Sequence, residues 1–390
     1  MGVRRRWSVP WLMSSASVAQ ELRIGVATME PGEIFWERFG HNAIVVDDPA
    51  LGEPLSYNFG FFDLTEPGFV GRFVRGDMQY MLAVLPFRQD LAYYRDTGRG
   101  VSIQWLDLPP ERARTLADAL AVNARPENAR YSYDYFTDNC STRVRDALDA
   151  AVGGLLRERL DSPVTVGGHT WRSEAVRLAS PAGWMWLGFD LGLGPRADVP
   201  LTAWQEAFVP MRLADSLRDV RLADGRPLVR AEQLLVPHRL APEPPAAPRP
   251  WWPWALAGLL LAAAVVAVGR WKPRVLAGVA LPFWLLCGLL GALMLFLWCC
   301  TAHWAGWENH NLLVYGPLCL LAVPGGWRLA RGRRPGRWFG PALAAIAVAA
   351  CIALLLHLVA GAQDNLRWIA FLLPVHLAFW ATWRRANDTA

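Results

Sequence analysis

Apolar residues are distributed differently in the two parts of the chain, which meet near residue 250. Before that point, apolar and polar positions alternate over short segments, as in one globular domain of ordinary size with its own core. After it, long apolar runs dominate, and about 17 to 25 such residues allow a helix to cross a bilayer. The pattern therefore predicts a globular domain followed by an α-helical membrane domain of about five spans. The predicted spans are residues 251–269, 275–298, 312–330, 341–362 and 368–383, of which the third is interrupted by Pro324-Gly325-Gly326 and the fifth is slightly short.

Basic residues alternate between the loops that connect these runs. Ten of them follow the first, third and fifth runs, whereas only Arg367 follows the second or fourth. Short loops rich in Lys and Arg remain in the cytoplasm. We therefore predict a multi-pass protein of the bacterial inner (cytoplasmic) membrane whose N-terminal domain is periplasmic. The net charge of +5 arises from the cytoplasmic loops and does not indicate a nucleic-acid partner.

Shorter features set the predicted domain boundaries. Residues 1–19 have a basic start, a short apolar stretch and a small-residue cleavage site, which is typical of a signal peptide. The apolar stretch is short and broken by Pro10 and serines, so cleavage stays open. The periplasmic domain then covers 20–238, and a proline-rich linker at 239–250 keeps it close to the bilayer. The membrane domain covers 251–383, followed by a cytoplasmic tail at 384–390.

The periplasmic domain is predicted to be α+β, with strands first and helices after them. Short segments rich in β-branched and aromatic residues indicate the strands. Prolines in a first turn indicate one helix, and Val144, Leu148 and Ala151 are spaced as on a second helix that begins near Cys140. Asp224-Gly225 lies between two apolar segments and favours a hairpin. The predicted strands are 42–46, 55–62 and 101–108, the first helix is 109–124, and the hairpin is 220–235.

Cys140 is the only cysteine in the first 250 residues. Asp138 or Asn139 is a suitable N-cap, which places Cys140 in the first turn of a helix. The helix dipole favours a thiolate there by about 0.3–1 kcal/mol, too little to ionise a thiol whose reference pKa is about 8.5. A reactive thiol therefore requires a neighbouring imidazole. The alternative is an inert buried thiol, against which export to an oxidising compartment and the polar flanking residues both count.

Three histidines lie in the exported part, and His41 is the best partner for Cys140. His238 is close to the linker and His169 lies in a glycine-rich segment, whereas His41 directly precedes the strand "NAIVV". A histidine at a strand edge and a cysteine at a helix start are typical of papain-like thiol enzymes, here in the His-before-Cys order of circularly permuted members. Asn58 is the best candidate for a third, orienting residue, ahead of Tyr57 and Asp47. A purely structural role for His41 stays open.

Several polar residues are candidates for substrate binding. Asn139 and Tyr57 adjoin the predicted catalytic residues, and His303, Asn309 and Asn311 lie in the loop after the second span, on the predicted side of Cys140. The loop residues are suited to a lipid headgroup or an amine, or they belong to an ordinary polar loop. One cysteine and one well-placed histidine are too few ligands for zinc. Since glycine-rich phosphate motifs are also missing from the sequence, we predict no metal and no cofactor.

At these residues the sequence resembles the Lnb-type bacterial lipoprotein N-acyltransferases. The segments "FGHNAIVV", "YNFG", "NARPENARYSYDYFTDNCSTRVRD" and "AFVPMRLADSL" resemble the periplasmic domain of that family over roughly residues 24–220. "TAHWAGWENHNLLVYGPL" resembles its membrane half. The resemblance implies a permuted papain-like (NlpC-type) fold with a catalytic pair, here Cys140 and His41. It also implies transfer of an acyl chain from a phospholipid to the N-terminal amine of a lipoprotein.

Three functions follow from these observations. The first is a membrane-bound thiol acyltransferase with phospholipid and lipoprotein as partners and a Cys140 thioester as intermediate. The second is a Cys-His hydrolase or amidase acting on cell-wall or lipid-linked amides, since the same pair supports both reactions. The third is a non-catalytic binding module anchored in the membrane. Acyl-chain identity, acceptor identity and oligomeric state are not determined by the sequence.

Overall fold

The computed structural model describes residues 21–162, 168–359 and 363–388, with side chains up to residue 385. The signal peptide predicted at 1–19 lies outside these residues. Within them, seven strands form one antiparallel sheet in the order β6-β4-β3-β2-β1-β5-β7. The strands are β1 Arg23–Met29, β2 His41–Asp47, β3 Leu55–Phe61, β4 Met78–Pro86, β5 Val101–Leu106, β6 Arg130–Tyr133 and β7 Val229–Val236.

Helices cover both faces of this sheet. The helices of the N-terminal part are α1 Phe69–Arg75, α2 Phe87–Thr97, α3 Pro110–Asn123, α4 Cys140–Ala151, α5 Leu155–Leu160, α6 Trp171–Ala179, α7 Gly183–Gly192, α8 Ala203–Glu206 and α9 Pro210–Asp219. Ile44 and Val46 of β2 pack with α3 and α4, whereas Ala43 and Val45 pack with α2. Because both faces of β2 are buried, its sequence is continuously apolar instead of alternating.

Most of the predicted elements of this domain are confirmed. The strands predicted at 42–46, 55–62 and 101–108 are β2, β3 and β5, and the helix predicted at 109–124 is α3. The hairpin predicted around Asp224-Gly225 is only partly present. Its turn forms, with one bridge between Arg221 and Pro227, but β7 pairs with β5 instead of with the preceding segment.

The C-terminal part contains, among the described residues, four helices long and apolar enough to cross a membrane. A shorter helix, α12, lies where the third span was predicted. It has 12 residues, about 18 Å at 1.5 Å per residue, against a hydrocarbon core of about 30 Å. A fifth continuous spanning helix is therefore not confirmed. The helices are α10 Trp252–Trp271, α11 Pro273–Cys300, α12 Cys319–Ala330, α13 Phe339–His357 and α14 Leu366–Asp388.

The segment before α12 packs closely on α11. A Cβ atom on Gly291 would lie 2.0 Å from the carbonyl oxygen of Tyr315, and one on Gly288 would lie 2.5 Å from the side chain of Leu320. Gly326, which the sequence suggested as an interruption, lies inside α12 against Trp284. Irregular backbone at membrane depth is tolerated where protein covers it. These glycines let α11 pack closely against the irregular segment and α12.

Candidate active site

Helix α4 begins at Cys140 because Asn139 caps it. The Asn139 Oδ1 atom accepts hydrogen bonds from the backbone N–H groups of Ser141 and Thr142, each at 2.9 Å. The hydroxyl of Thr142 in turn accepts from the Asn139 N–H at 2.7 Å, which completes a capping box. The Asn139 amide nitrogen donates to the carbonyl oxygens of Tyr135 and Phe208. Asn139 is therefore a buried structural residue, which corrects the prediction that it binds substrate.

Ser141 fixes the start of α4 against the sheet. Its hydroxyl oxygen lies 2.8 Å from Asn42 Oδ1 on β2 and 2.6 Å from the carbonyl oxygen of Ala207. Asn42 Nδ2 donates across the sheet to Thr28 Oγ1 at 2.9 Å. All these side chains are buried. The first turn of α4 is therefore tied directly to the residue that follows His41.

His41 is the first residue of β2 and contacts both Asn58 and Cys140. Its Nε2 atom lies 3.0 Å from Asn58 Oδ1 on β3. The Cys140 thiol forms a side-chain hydrogen bond with the same imidazole. Since Nε2 is used by Asn58, Nδ1 is left for the sulfur. The structure thus brings together the three residues predicted to be catalytic.

Charge is shared within this pair. Burial by itself lowers the pKa of His41, but the charge and hydrogen bond of Cys140, with that of Asn58, raise it above the ordinary 6.5. Burial raises the pKa of Cys140, but the charge and hydrogen bond of His41 and the backbone N–H groups of Asn42 and Ser141 hold it below its ordinary value. Both directions favour a thiolate beside an imidazolium. Such a thiolate is a strong nucleophile at neutral pH.

Asp90 is a member of this site that the sequence did not reveal. It lies in the first turn of α2, is buried, and its Oδ2 accepts a hydrogen bond from Asn58 Nδ2 at 2.9 Å. The Ser56 hydroxyl donates to the same oxygen. Because the amide nitrogen of Asn58 faces a carboxylate, its oxygen faces His41. The chain of contacts therefore runs from Asp90 through Asn58 and His41 to Cys140.

The pairing of β3 with β4 is irregular, as at a β-bulge, where β3 passes the thiol. The register between β3 and β4 shifts between Asn58 and Phe61, and Gly60 at this point has a φ of 89°. A Cβ atom on Gly60 would lie 3.6 Å from the Cys140 Cβ and 3.5 Å from the Tyr133 ring. Bulges often redirect a strand next to an active site. Here the bulge places Gly60 against Cys140 and Tyr133.

The two other exported histidines have partners elsewhere. His169 faces Glu174, with Nδ1 at 3.5 Å from a carboxylate oxygen. The Nδ1 atom of His238 accepts a hydrogen bond from the Gly100 N–H at 3.0 Å. Among the described histidines of the N-terminal domain, only His41 contacts Cys140.

Tyr57 and Asp47 do not join the site. Tyr57 is buried on the opposite face of β3 from Asn58, in the core that contains Val144 of α4. Since neighbouring residues on a strand point to opposite faces, this corrects its predicted role in substrate binding. Asp47 lies at the far end of β2 from His41 and pairs with Arg23.

The predicted substrate residues of the membrane half have internal partners as well. Asn309 and Asn311 are buried, and both donate to the carbonyl oxygen of Leu191, at 2.7 and 3.1 Å. They bind α7 to the membrane helices and not a headgroup, which corrects their predicted role. His303 Nε2 lies 3.0 Å from the carbonyl oxygen of Phe73, and the ring stacks on Tyr135. The Nε2 atom and one ring face of His303 are therefore used within the protein, at the junction of the two parts.

Two comparisons with protein families agree with this architecture. Residues 11–174 match the Lnb N-terminal periplasmic domain, and residues 248–383 match the Lnb transmembrane domain. No curated protein and no solved structure matches the chain. Together the two matches cover most of the chain, in the order that the fold shows. The chain therefore belongs to the Lnb family, as a membrane protein with a periplasmic N-terminal domain and a transmembrane domain.

Proposed function

We propose that this protein is a cysteine acyltransferase of the bacterial inner membrane. It moves an acyl chain from a phospholipid to the N-terminal amine of a lipoprotein through a thioester on Cys140. The observation that carries this proposal is the contact of Cys140 with His41, which Asn58 and Asp90 orient in turn. This arrangement has the nucleophile, base and orienting residue that acyl transfer needs, in the His-before-Cys order of the permuted papain-like enzymes.

In the first half-reaction the Cys140 thiolate attacks the carbonyl carbon of a phospholipid ester. The carbon–sulfur bond forms, and the oxygen develops negative charge. The backbone N–H of Cys140, in the first turn of α4, is a suitable donor for this oxyanion. When the ester bond breaks, the His41 imidazolium gives its proton to the departing alkoxide. The products are an acyl-Cys140 thioester and a lysophospholipid.

In the second half-reaction the lipoprotein amine attacks the thioester carbon. Neutral His41 takes a proton from the nitrogen as the carbon–nitrogen bond forms. Collapse of the tetrahedral intermediate breaks the carbon–sulfur bond and returns the Cys140 thiolate beside the imidazolium. The same pair of residues therefore serves both halves without an additional oxidant or reductant.

The position of the site suits substrates that are held in a membrane. The domain contacts the segment that follows α11, since the Ala302 N–H donates to the carbonyl oxygen of Arg75 at 2.7 Å and the Gly194 N–H to that of Ala305 at 2.7 Å. Cys140 therefore lies in a domain docked on the membrane part. Both proposed substrates are lipids of that same membrane.

The test is mass spectrometry of lipoprotein N-termini from cells that depend on this protein. Cys140→Ala should abolish N-acylation. Cys351→Ala, which removes an exposed thiol from α13, is the matched control and should leave it intact. Unchanged N-acylation in the Cys140→Ala strain would reject the proposed function. Release of free fatty acid or cleavage of murein by the purified protein, without amine acylation, would favour the hydrolase alternative.

A further inference from the structure

A cavity lies at the junction of the periplasmic domain and the membrane helices. Its volume is about 310 Å³, which is at the small end of the range for ligand sites. One wall is α7, with Met185, Gly188 and Phe189 facing the space. Leu297, near the end of α11, forms part of the membrane side. A space of this size suits one acyl chain better than a whole phospholipid.

The walls of this cavity include the two loops that lead into the catalytic pair. Phe35 lies in the loop before His41, and Tyr135 lies in the turn before Cys140. The Tyr133 ring, which lies beside Cys140 at Gly60, packs edge-on against Tyr135 with ring centroids 6.0 Å apart. Tyr133 therefore lies near the thiol and also packs on a residue of the cavity wall.

The cavity is lined mostly by apolar side chains, and its two ionisable residues, Asp134 and His303, have hydrogen-bond partners within the protein. Asp134 Oδ2 accepts from the Trp304 indole N–H at 2.7 Å, and its Oδ1 accepts from the backbone N–H of Phe136 at 2.9 Å. His303 Nε2 is used by the carbonyl oxygen of Phe73. A buried water or polar ligand requires partners of its own. Because both Asp134 oxygens and the His303 Nε2 atom are already paired and most of the other lining residues are apolar, the cavity favours a hydrocarbon.

Exposed apolar side chains surround the cavity on the outside. Trp184 of α7 is 69% exposed, Leu187 is 40% exposed, and Phe35 stacks on Trp184 with centroids 6.0 Å apart. Exposed tryptophans are typical of the membrane–water interface. Because Leu297 lies three residues before the end of a helix long and apolar enough to cross a membrane, the cavity lies at the end of that helix, next to the periplasmic domain.

We propose that this cavity binds the acyl chain of the phospholipid donor and aligns its ester with Cys140. The inference rests on the proposed function, since a bound chain is meaningful for catalysis only if Cys140 accepts it. The volume of the cavity then limits chain length. Chains that fill the space are transferred, and chains that cannot be accommodated are not.

Gly188 allows a direct test. A Cβ atom there would meet nothing within 4 Å, and the residue faces the cavity from the middle of α7. Gly188→Leu therefore fills the space without straining the backbone, and leucine is a better helix former than glycine. Gly183, on the same helix, is equally open at its Cβ but does not line the cavity. Gly183→Leu is the matched control.

The experiment uses the full-length protein in vesicles with equal amounts of short-chain and long-chain phosphatidylethanolamine. Intact-mass spectrometry then measures which acyl chains form the Cys140 thioester. Wild type and Gly183→Leu should give the same chain distribution. Gly188→Leu should reduce long-chain thioester relative to short-chain thioester by roughly tenfold or more, as expected for a shortened hydrophobic pocket. An unchanged ratio, or equal loss of both chains, would overturn the cavity assignment. Absence of any thioester on the wild-type protein would instead reject the proposed function.

A second measurement does not depend on the reaction. Cys140→Ala protein is illuminated in vesicles that contain phosphatidylethanolamine with a photoreactive group at the end of one acyl chain. Crosslinks should fall on cavity peptides, which include those with Met185 and Tyr135, and Gly188→Leu should remove them in the same background. Crosslinks confined to the lipid-facing sides of α10 and α13 would contradict the assignment.

Discussion

The Nε2 atom of His41 lies 3.0 Å from Oδ1 of Asn58, and this distance determines where the proton of the neutral imidazole resides. An amide oxygen only accepts hydrogen bonds. Nε2 must therefore carry a hydrogen, and Nδ1 is the nitrogen that exchanges a proton with Cys140. Asp90 maintains this orientation, because its carboxylate accepts from the Asn58 amide nitrogen and would repel the amide oxygen.

We predict that Asn58→Ala lowers acyl transfer by about 100-fold, the cost of a misplaced catalytic group. The variant loses the acceptor that holds the His41 ring, while the thiol and the imidazole both remain. Single-turnover formation of the Cys140 thioester is the measurement. Asn128→Ala, at an exposed position in the turn between α3 and β6, is the control and should behave as wild type. A thioester rate unchanged by Asn58→Ala would remove the orienting role.

The reactivity of Cys140 should depend on pH through His41. Because the imidazole lowers the pKa of the thiol, the thiolate persists on acidification and is lost only as the pH falls through that lowered pKa. The pKa of His41 is raised, so the imidazolium persists until the pH rises through the raised value. Acyl transfer should therefore follow a bell-shaped profile with its plateau between the two limits.

His41→Ala removes the largest influence that lowers the pKa of Cys140, while burial continues to raise it. The thiol should then ionise only at more alkaline pH. Iodoacetamide alkylates the thiolate, so the alkylation rate at neutral pH should fall in proportion to the thiolate fraction. For a mostly protonated thiol, each unit by which the pKa rises lowers that fraction, and hence the rate, by roughly tenfold. Mass spectrometry of the Cys140 peptide separates this thiol from the exposed Cys299, Cys300 and Cys351. An unchanged alkylation profile would mean that the imidazole does not influence the sulfur.

Local signals in the sequence were sufficient for the catalytic core. An N-cap before Cys140, a strand that begins at His41 and a polar residue in the neighbouring strand each leave a short-range pattern. Tyr57 could also have been excluded, since a strand that turns Asn58 toward His41 must turn Tyr57 the other way. The alternation of side chains along β3 shows that the two residues face opposite ways, but it does not say which one faces His41 until one face of the strand has been assigned.

Other features depended on tertiary packing. Asp90 lies 32 residues from Asn58 in sequence, and its role follows only from how α2 lies across the sheet. Asn309 and Asn311 look like exposed loop residues until α7 is packed over them. The irregular segment found where the third span was predicted packs closely on α11, with Tyr315 against Gly291. Hydropathy along the sequence does not show such a packing contact.

Gly40 should be required for the position of His41. Its φ of 76° is in the left-handed region, and a Cβ atom would lie 2.9 Å from the carbonyl oxygen of Met29. Gly52 has a φ of 78° but nothing within 4 Å of its Cβ, so it isolates the cost of the conformation. Gly52→Ala should cost about 1–2 kcal/mol, and Gly40→Ala should cost more because the backbone of β1 must also move.

Thermal unfolding of the purified full-length protein measures this difference. Gly40→Ala should unfold at a lower temperature than Gly52→Ala, and it alone should slow thioester formation, since it displaces the residue that precedes His41. Equal melting temperatures and equal rates for the two variants would show that the Met29 backbone moves without measurable cost. Gly40 would then be needed only for the left-handed conformation of the turn.

Asp190 should hold the periplasmic domain on the membrane helices. This carboxylate of α7 is fully buried and accepts from Arg367 at 2.8 Å, from the Trp368 indole at 2.8 Å and from Arg249 at 3.0 Å. Asp190→Ala removes the buried one of the two carboxylates that Arg249 and Arg367 share, and Asp364 remains as the other. The loss should therefore fall below about 3–5 kcal/mol, which is the cost of breaking a buried ion pair when no other partner is left. Because α7 is also a wall of the proposed acyl-chain cavity, loss of this anchor should lower thioester formation together with the melting temperature. Asp224→Ala, which removes a surface partner of Arg226, should change neither. If Asp190→Ala melts as wild type does and protease cuts the proline-rich linker at 239–250 no faster, the carboxylate does not anchor the domain. The position of α7 must then depend on other contacts, which include the hydrogen bonds from Asn309 and Asn311 and that between Gly194 and Ala305.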